Sequence, residues 1–168
     1  FSVNLLKCAP ASSFCTISAV RVVNVTGQVA NFIDPQGTGH ELLGVSFEST
    51  ASAGASSLLA LDTSLTKNLV VAKLVTDVST AAGASPVAIT NTTADFDSII
   101  TLLDCVIRGY SGSAASALSI STGSKVVMER VQVSTTFATS DPAINVLNSR
   151  IVTGNDCVFT AGNGKACN

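Results

Sequence analysis

The sequence predicts an all-β protein that forms a single parallel β-helix, a solenoid in which successive coils of the chain stack along one axis. Two short alternating patterns recur along the chain, and both recur at the same intervals over its second half. Repeats of this length indicate stacked units, in which each unit has no core of its own and its neighbours complete it.

The first pattern alternates polar and apolar residues over four positions, as expected of a strand with one buried face. It begins at Asp104, Arg130 and Asp156, so it recurs every 26 residues. A weaker copy begins at Lys73, 31 residues before Asp104. It is weaker because Thr76 falls where an apolar residue is expected.

The second pattern is a triplet with apolar residues at its first and third positions, and it ends at Leu61, Ile89, Ile120 and Val146, at intervals of 28, 31 and 26 residues. Its last two intervals equal those of the first pattern. If the coils differ in the length of one loop, an insertion in that loop lengthens the intervals of both strand patterns by the same amount. The equal intervals are therefore expected of a solenoid with one variable loop. The main alternative is an antiparallel β-sandwich, which also has short, evenly spaced strands but has no reason to keep this rhythm.

The coils do not begin at the first residue. Residues 1–40 fit the repeat least well and are predicted to form an irregular N-terminal cap and a first coil, because an open solenoid end exposes unpaired backbone groups. Residues 41–168 are predicted to form the remaining coils, and the last coil has no evident cap. Small residues favour tight corners between the columns; they cluster at residues 53–56, 82–85 and 112–115.

Composition limits the function classes. The chain has 168 residues, of which 46% are hydrophobic and only 12% charged, so an intrinsically disordered protein is excluded. A net charge of −2 provides no field for binding nucleic acid, and no apolar run approaches the ~20 residues of a membrane span. A surface of Ser, Thr, Asn, Gly and Ala favours an extracellular protein, or one on a cell or virion surface.

Five cysteines favour an oxidising compartment. Cys8 and Cys15 flank a turn-rich loop and are candidates for a disulfide, and Cys157 with Cys167 is a second candidate pair. Cys105 and Cys157 occupy the same column two coils apart, about 10 Å, which exceeds the ~7 Å that a disulfide can span. Cys105 is therefore expected to be a small core residue.

Two sequons for N-glycosylation begin at Asn24 and Asn91. They agree with secretion and with a glycoprotein.

One column carries alternating charge. Lys73, Asp104, Arg130 and Asp156 precede an inward position and are expected to face outward on successive coils, about 4.8 Å apart. Neighbouring charges of opposite sign contribute roughly 0.2–1 kcal/mol per pair. We interpret the column as a structural charge ladder that fixes the register of the coils, since each acid has a basic neighbour.

The coil pattern across residues 41–159 resembles the pectin-lyase-like superfamily of right-handed parallel β-helices at the level of the fold. The resemblance implies, for lyases, clustered aspartates that bind calcium and an Arg or Lys base; for hydrolases, it implies several close carboxylates and a His. Here Asp95 and Asp97 form the one tight acidic pair, and no further acid aligns beside them. His40 is expected in a surface turn, without a nucleophile or an orienting acid nearby.

These observations predict a non-enzymatic extracellular protein with a structural or adhesive role, as a subunit or segment of a surface filament, fibre or viral appendage. Copies are expected to associate through the solenoid ends, with no cofactor, no metal, no nucleic acid and no membrane insertion. The alternative is a carbohydrate-binding or carbohydrate-cleaving β-helix, with surface glycans as partners along the charge ladder. Ice binding is a minor alternative, because the coils do not keep a Thr-x-Thr array.

Overall fold

Parallel strands joined from coil to coil build the described part of the chain. The computed structural model describes residues 6–23, 26–27, 33–52, 57–80, 85–91, 98–111, 116–121, 124–135, 142–153 and 155–162. In these ranges the chain has no helix, and the strands stack as a β-solenoid of parallel sheets in a single domain. The predicted fold class is confirmed, and the antiparallel sandwich is wrong.

The strands follow one another in the same order in each coil. The first coil contains β1 (Leu6–Cys8), β2 (Thr16–Ser18), β3 (Arg21–Val23) and β4 (Thr26–Gly27). The next contains β5 (Ile33–Pro35), β6 (Gly37–Thr38), β7 (Glu41–Leu43) and β8 (Ser46–Ser52). There follow β9 (Leu59–Asp62), β10 (Thr66–Lys67), β11 (Leu69–Ala72) and β12 (Val75–Thr80).

The later coils have three strands each. They contain β13 (Val87–Thr90), β14 (Ile99–Leu103) and β15 (Val106–Ser111), then β16 (Leu118–Ser121), β17 (Lys125–Glu129) and β18 (Gln132–Thr135). The last described coil contains β19 (Ile144–Leu147), β20 (Arg150–Thr153) and β21 (Val158–Ala161).

Each strand pairs with its equivalent in the neighbouring coils, which produces three long sheets. The first sheet has the order β1-β5-β9-β13-β16-β19, and the second has the order β2-β7-β11-β14-β17-β20. The third runs β3-β8-β12-β15-β18-β21, with β4 also paired to β8, and β6 and β10 form a short pair. The three strands within residues 1–23 join the same sheets as later coils; the predicted boundary between cap and coils at residue 40 stays a prediction.

The inward columns of the three sheets meet in one core along the axis. Phe47 and Ile107, for example, occupy one column of the third sheet and are fully buried. Thr76 lies between them in this column and is also buried. Its hydroxyl donates to the carbonyl of Arg108 at 3.1 Å and accepts from the Arg108 N–H at 3.0 Å. These bonds explain how a polar residue takes an apolar place in the repeat.

Between the second and third sheets the chain turns at one residue in the left-handed conformation. Lys73, Asp104 and Arg130 hold this corner with φ of 56°, 51° and 51°. Each donates its N–H to the next coil, to Leu103, Glu129 and Asn155 at 2.9, 3.1 and 3.0 Å, respectively. The same corner in other coils is held by Ala19, Gly44 and Asp156. The charge ladder of the sequence is therefore a column of corners rather than of strand residues.

The conformation of this corner yields a prediction. An L-residue with a side chain loses about 1–2 kcal/mol in the left-handed region, whereas glycine does not. Lys73→Gly is expected to raise the free energy of unfolding by about 0.5–1 kcal/mol, once the larger conformational entropy that glycine loses on folding is subtracted. Ala72→Gly, one residue earlier in β11, should instead lower it by about 0.5–1 kcal/mol. Urea unfolding of both variants checks this, and equal losses would contradict the corner assignment.

Candidate functional site

The charged corner column brings two of its four predicted members together. The Arg130 guanidinium donates two hydrogen bonds to the Asp104 carboxylate, from Nε to Oδ1 at 2.5 Å and from Nη2 to Oδ2 at 3.2 Å. Its remaining Nη1 contacts the carboxylate of Glu129. Both Arg130 and Asp104 remain almost half exposed. A bidentate ion pair of this kind is among the stronger surface interactions, because both hydrogen bonds are charge-assisted.

The other two members lie at the same corner but outside this pair. Lys73 and Asp156 are exposed. Within the described ranges, no ion pair joins either of them to Arg130 or Asp104. Lys73 acts at longer range, because its positive charge adds to the effect of Arg130 on the carboxylate of Asp104.

The electrostatics of the corner favour the charged forms of both Asp104 and Arg130. The hydrogen bond from Arg130, together with its charge and that of Lys73, lowers the pKa of Asp104 below its ordinary value despite partial desolvation. Hydrogen bonds to Asp104 and then Glu129 raise the pKa of Arg130. An acid whose pKa is lowered is a poor general acid at neutral pH, and its guanidinium neighbour is already engaged. The role of the column as a ladder that fixes register stays a prediction.

His40 is buried, so its predicted location in a surface turn is wrong. The exposed fraction of this residue is only 1%. The N–H of Cys15 donates to Nδ1 at 2.9 Å, so Nδ1 must be unprotonated and the ring proton must lie on Nε2. Nε2 then donates to the carbonyl of Gln36 at 2.9 Å. His40 thereby clamps the first two coils together.

Ser12 lies 3.2 Å from Nε2 of His40, a distance that superficially suggests a nucleophile and its base. The tautomer excludes this function, since Nε2 carries the proton and cannot accept another. The Ser12 hydroxyl moreover donates to the carbonyl of Ala9 at 2.6 Å. Gly37 completes the clamp with φ of 123°, and a Cβ there would lie 2.4 Å from Nε2. The sequence feature that indicates this cluster is the segment Gly37-Thr38-Gly39-His40.

The cysteines are free thiols in the described chain. The predicted disulfide between Cys8 and Cys15 is not formed. The loop between them is held by hydrogen bonds to the next coil instead, through Cys15 and Ser12. Cys157 is free and half-buried, while Cys167, its predicted partner, lies outside the described residues. Cys105 is buried in the core, and burial raises the pKa of its thiol to about 11.

The remaining predicted sites divide between buried and undescribed residues. Asn91 is only 1% exposed, and this burial disfavours a glycan at its side chain in the folded chain; glycosylation at this sequon stays a prediction. Asn24, Asp95 and Asp97 lie outside the described residues. Over the described ranges, no group of three or more His, Cys, Asp or Glu side chains could hold a metal ion. Those ranges also contain no helix that is long and apolar enough to cross a membrane.

The two ends of the solenoid leave core positions partly uncovered. In the last coil, Val146 and Phe159 occupy inward columns but are only half-buried. The residues one coil earlier in the same columns, Ile120 and Val133, are buried. In the first coil, the inward side chain of Ile17 is likewise half-buried. Strands β19, β20 and β21 are at one edge of their sheets, and β1, β2 and β3 are at the other.

Comparison of the chain with protein-family models, with curated proteins and with solved structures gives no match. The resemblance to the pectin-lyase-like superfamily therefore stays a prediction, beyond the β-helix fold itself. The function has to be inferred from the geometry of the corner, the outer faces and the ends.

The histidine clamp predicts unequal effects of two glycine substitutions. Gly37→Ala places a methyl group 2.3 Å from the Ser12 carbonyl oxygen and should lower the free energy of unfolding by about 2–4 kcal/mol. Gly44→Ala is the control, because Gly44 also has a positive φ but no atom within 4 Å of the added methyl group. It should cost about 1 kcal/mol. Chemical unfolding measures both, and similar losses would show that the clamp is not tightly packed.

The corner ion pair predicts a pH dependence. Because the pKa of Asp104 is lower in the folded than in the unfolded chain, its contribution is present above the ordinary value of 3.8 and is lost as pH falls through the lower folded value. Asp104→Asn should therefore destabilise the chain at pH 7 but have progressively less effect below pH 3.8. Asp156→Asn, at the same corner position, is the control. Unfolding curves over this pH range test the claim, and a loss that is independent of pH would contradict it.

Proposed function

We propose that this chain is a non-enzymatic, extracellular structural or adhesive β-helix, a subunit or segment of a surface filament, fibre or viral appendage. Copies associate end to end through the first and last coils. The observation that supports the proposal is the incomplete burial of the core at both ends, at Ile17 in the first coil and at Val146 and Phe159 in the last.

The geometry of a solenoid makes its two ends complementary. Successive coils are related by a shift along the axis, so the outer edge of β19 offers backbone groups with the same spacing that β1 offers to β5. A second copy placed on this edge would continue the sheets and cover the half-buried side chains. Such contacts join two different surfaces, and they repeat without closing when the shift is along an axis. Strand addition at exposed edges is a common mode of association.

The hydrophobic contribution supports the same conclusion. Full burial of a large apolar side chain contributes about 1.5–3 kcal/mol relative to full exposure. A copy that covers a half-buried core position would therefore contribute the remaining part of this free energy. Such positions include Leu6, Ile17 and Val20 in the first coil and Val146, Cys157 and Phe159 in the last. Natural sheets generally cover edges and apolar positions of this kind, and a second copy would do so here.

The glycan alternative has less support at the charge ladder. The corner column lies where two sheets meet, so its surface is convex, whereas carbohydrate-cleaving sites are concave. The guanidinium of Arg130 is also occupied by Asp104 and Glu129. Ice binding likewise lacks its regular array, because one outward column of the second sheet reads Val70, Thr101 and Val127.

Electron microscopy and sedimentation velocity over a concentration series test the proposal. We expect filaments or elongated oligomers whose mass rises with concentration. Phe159→Lys should abolish them, because it puts a charge where the next copy would pack. Val158→Lys is the matched control on the same strand, since Val158 is 53% exposed and faces outward.

Folding of each variant is checked by circular dichroism, and Val146→Lys provides a second end variant in the first sheet. Dispersed monomers of the unmodified chain at all concentrations would refute end-to-end association. If Phe159→Lys and Val158→Lys lost oligomers equally, the contact between copies would not lie at the solenoid end.

A further inference from the structure

The outer face of the second sheet is unusually apolar. Its outward columns are fixed by the strand register, which places Val70 beside Thr101 and then Val127, and Ala72 beside Leu103. These side chains are only half-buried although they point away from the core. We call this surface the apolar face; its residues are Leu43, Val70, Ala72, Ile99, Thr101, Leu103 and Val127.

The other two sheets present a different outer surface. The middle outward column of the first sheet reads Lys7, Asp34, Ala60, Ala88, Ser119 and Asn145. An outward column of the third reads Glu48, Asp77, Arg108 and Ser134. Charged and polar residues thus interrupt both of these faces. The apolar face combines six aliphatic side chains with one threonine.

No described strand covers the apolar face. The substantial strand contacts in the described chain are all between hydrogen-bonded neighbours in one sheet. An apolar surface that is continuous over several strands and bordered by charges marks an interaction site more often than scattered exposed residues do.

The charges at the border indicate the partner. Glu41 lies on β7, at one end of the apolar face along the axis, and Lys125 lies on β17, at the other. Two strands, β11 and β14, separate them, so they are about 14 Å apart along the axis. Glu41 is exposed and accepts only one bond among the described contacts, from the Thr16 hydroxyl at 3.2 Å. Lys125 is half-buried and forms no ion pair within the described ranges.

This arrangement is complementary to itself. A two-fold axis that runs along the strand direction, between β11 and β14, brings β7 of one copy opposite β17 of a second copy. Glu41 then lies at the level of Lys125 of the second copy, about 7 Å away along the strand, and the reverse pair forms by symmetry. The same axis places Ala72 against Leu103 of the second copy, so the aliphatic residues pack at the centre.

The geometry points to a second copy of this chain as the partner of the apolar face, packed sheet against sheet with the two solenoid axes antiparallel and with Glu41 of each copy paired to Lys125 of the other. Face-to-face sheets pack about 10 Å apart, a gap that a lysine and a glutamate side chain bridge together. A parallel arrangement, with the two-fold along the solenoid axis, would bring the two Glu41 side chains toward each other. Like charges in such a position disfavour association.

Other partners fit this face less well. Glu41 and Glu129 at its border would repel the headgroups of an anionic membrane surface. Its described outward residues contain no aromatic ring on which a sugar could stack. The face covers roughly 300–400 Å² per copy, as estimated from strand spacing and rise. The total lies below the usual 1,200 Å² of stable interfaces, so the pair should be weak and concentration-dependent.

Sedimentation equilibrium from about 1 µM to 1 mM tests this inference, with Phe159→Lys as the background so that end-to-end assembly is removed. We expect a monomer–dimer equilibrium with a dissociation constant in the micromolar range or weaker, as such a small interface implies. Val70→Lys should weaken the dimer at least about tenfold, because it buries two charges at its centre. Val75→Lys is the matched control, since Val75 lies in the same coil but faces outward from the third sheet.

Charge exchange fixes the orientation of the two copies. Glu41→Lys and Lys125→Glu should each weaken the dimer several-fold, because each places like charges together. The double variant Glu41→Lys/Lys125→Glu should restore the dissociation constant to within about threefold of the starting chain. Both residues are on the surface, so folding is expected to persist, and circular dichroism verifies it.

Three results would overturn the inference: a chain that stays monomeric to 1 mM, equal weakening by Val70→Lys and Val75→Lys, or no recovery in the double variant. These results are independent of the end-to-end proposal, because they are measured in a chain whose end contact has been removed. Loss of filaments in Phe159→Lys with an intact dimer would support both contacts.

Discussion

Backbone hydrogen bonding between successive coils is the constraint on which the rest of this structure depends. The N–H of Val106 bonds to the carbonyl of Leu74 at 2.8 Å, and the N–H of Gln132 bonds to that of Cys105 at 2.9 Å. Every coil is thereby held at the spacing of a β-sheet. A residue type placed in one coil then lies directly against its equivalent in the next, which converts a sequence period into columns of core, corner and surface. No coil could bury its apolar residues alone.

The corner between the second and third sheets shows how this constraint acts on unrelated side chains. Ala19, Gly44 and Lys73 differ in size and charge, yet they adopt φ of 55°, 64° and 56°. The hydrogen bonds to neighbouring coils hold the conformation, and the side chain is free to serve another purpose. At Asp104 and Arg130 that purpose is an ion pair between coils. Between the first two coils, His40 adds a side-chain contact to this stacking, because it bonds both Cys15 and Gln36.

The sequence was sufficient to predict the fold because its signals follow the coil period. The predicted segments that end at Leu61, Ile89 and Ile120 all form strands of one sheet. The corner conformation was less predictable, since Lys and Arg have no preference for positive φ. Gly44, Asp104 and Asp156 in the same column were the local signals, because glycine and, less often, aspartate adopt this conformation. The burial of His40 depends on its contact with Cys15 in the preceding coil, 25 residues earlier in the chain.

The function that we propose for this chain depends on two surfaces, the solenoid ends and the apolar face. Small-angle X-ray scattering of the unmodified chain over a concentration series tests this most directly. We expect the maximum dimension to grow with concentration as ends stack, and the cross-section to widen in one direction as apolar faces pair. The scattering of a monomer of constant length and cross-section at every concentration would contradict the account.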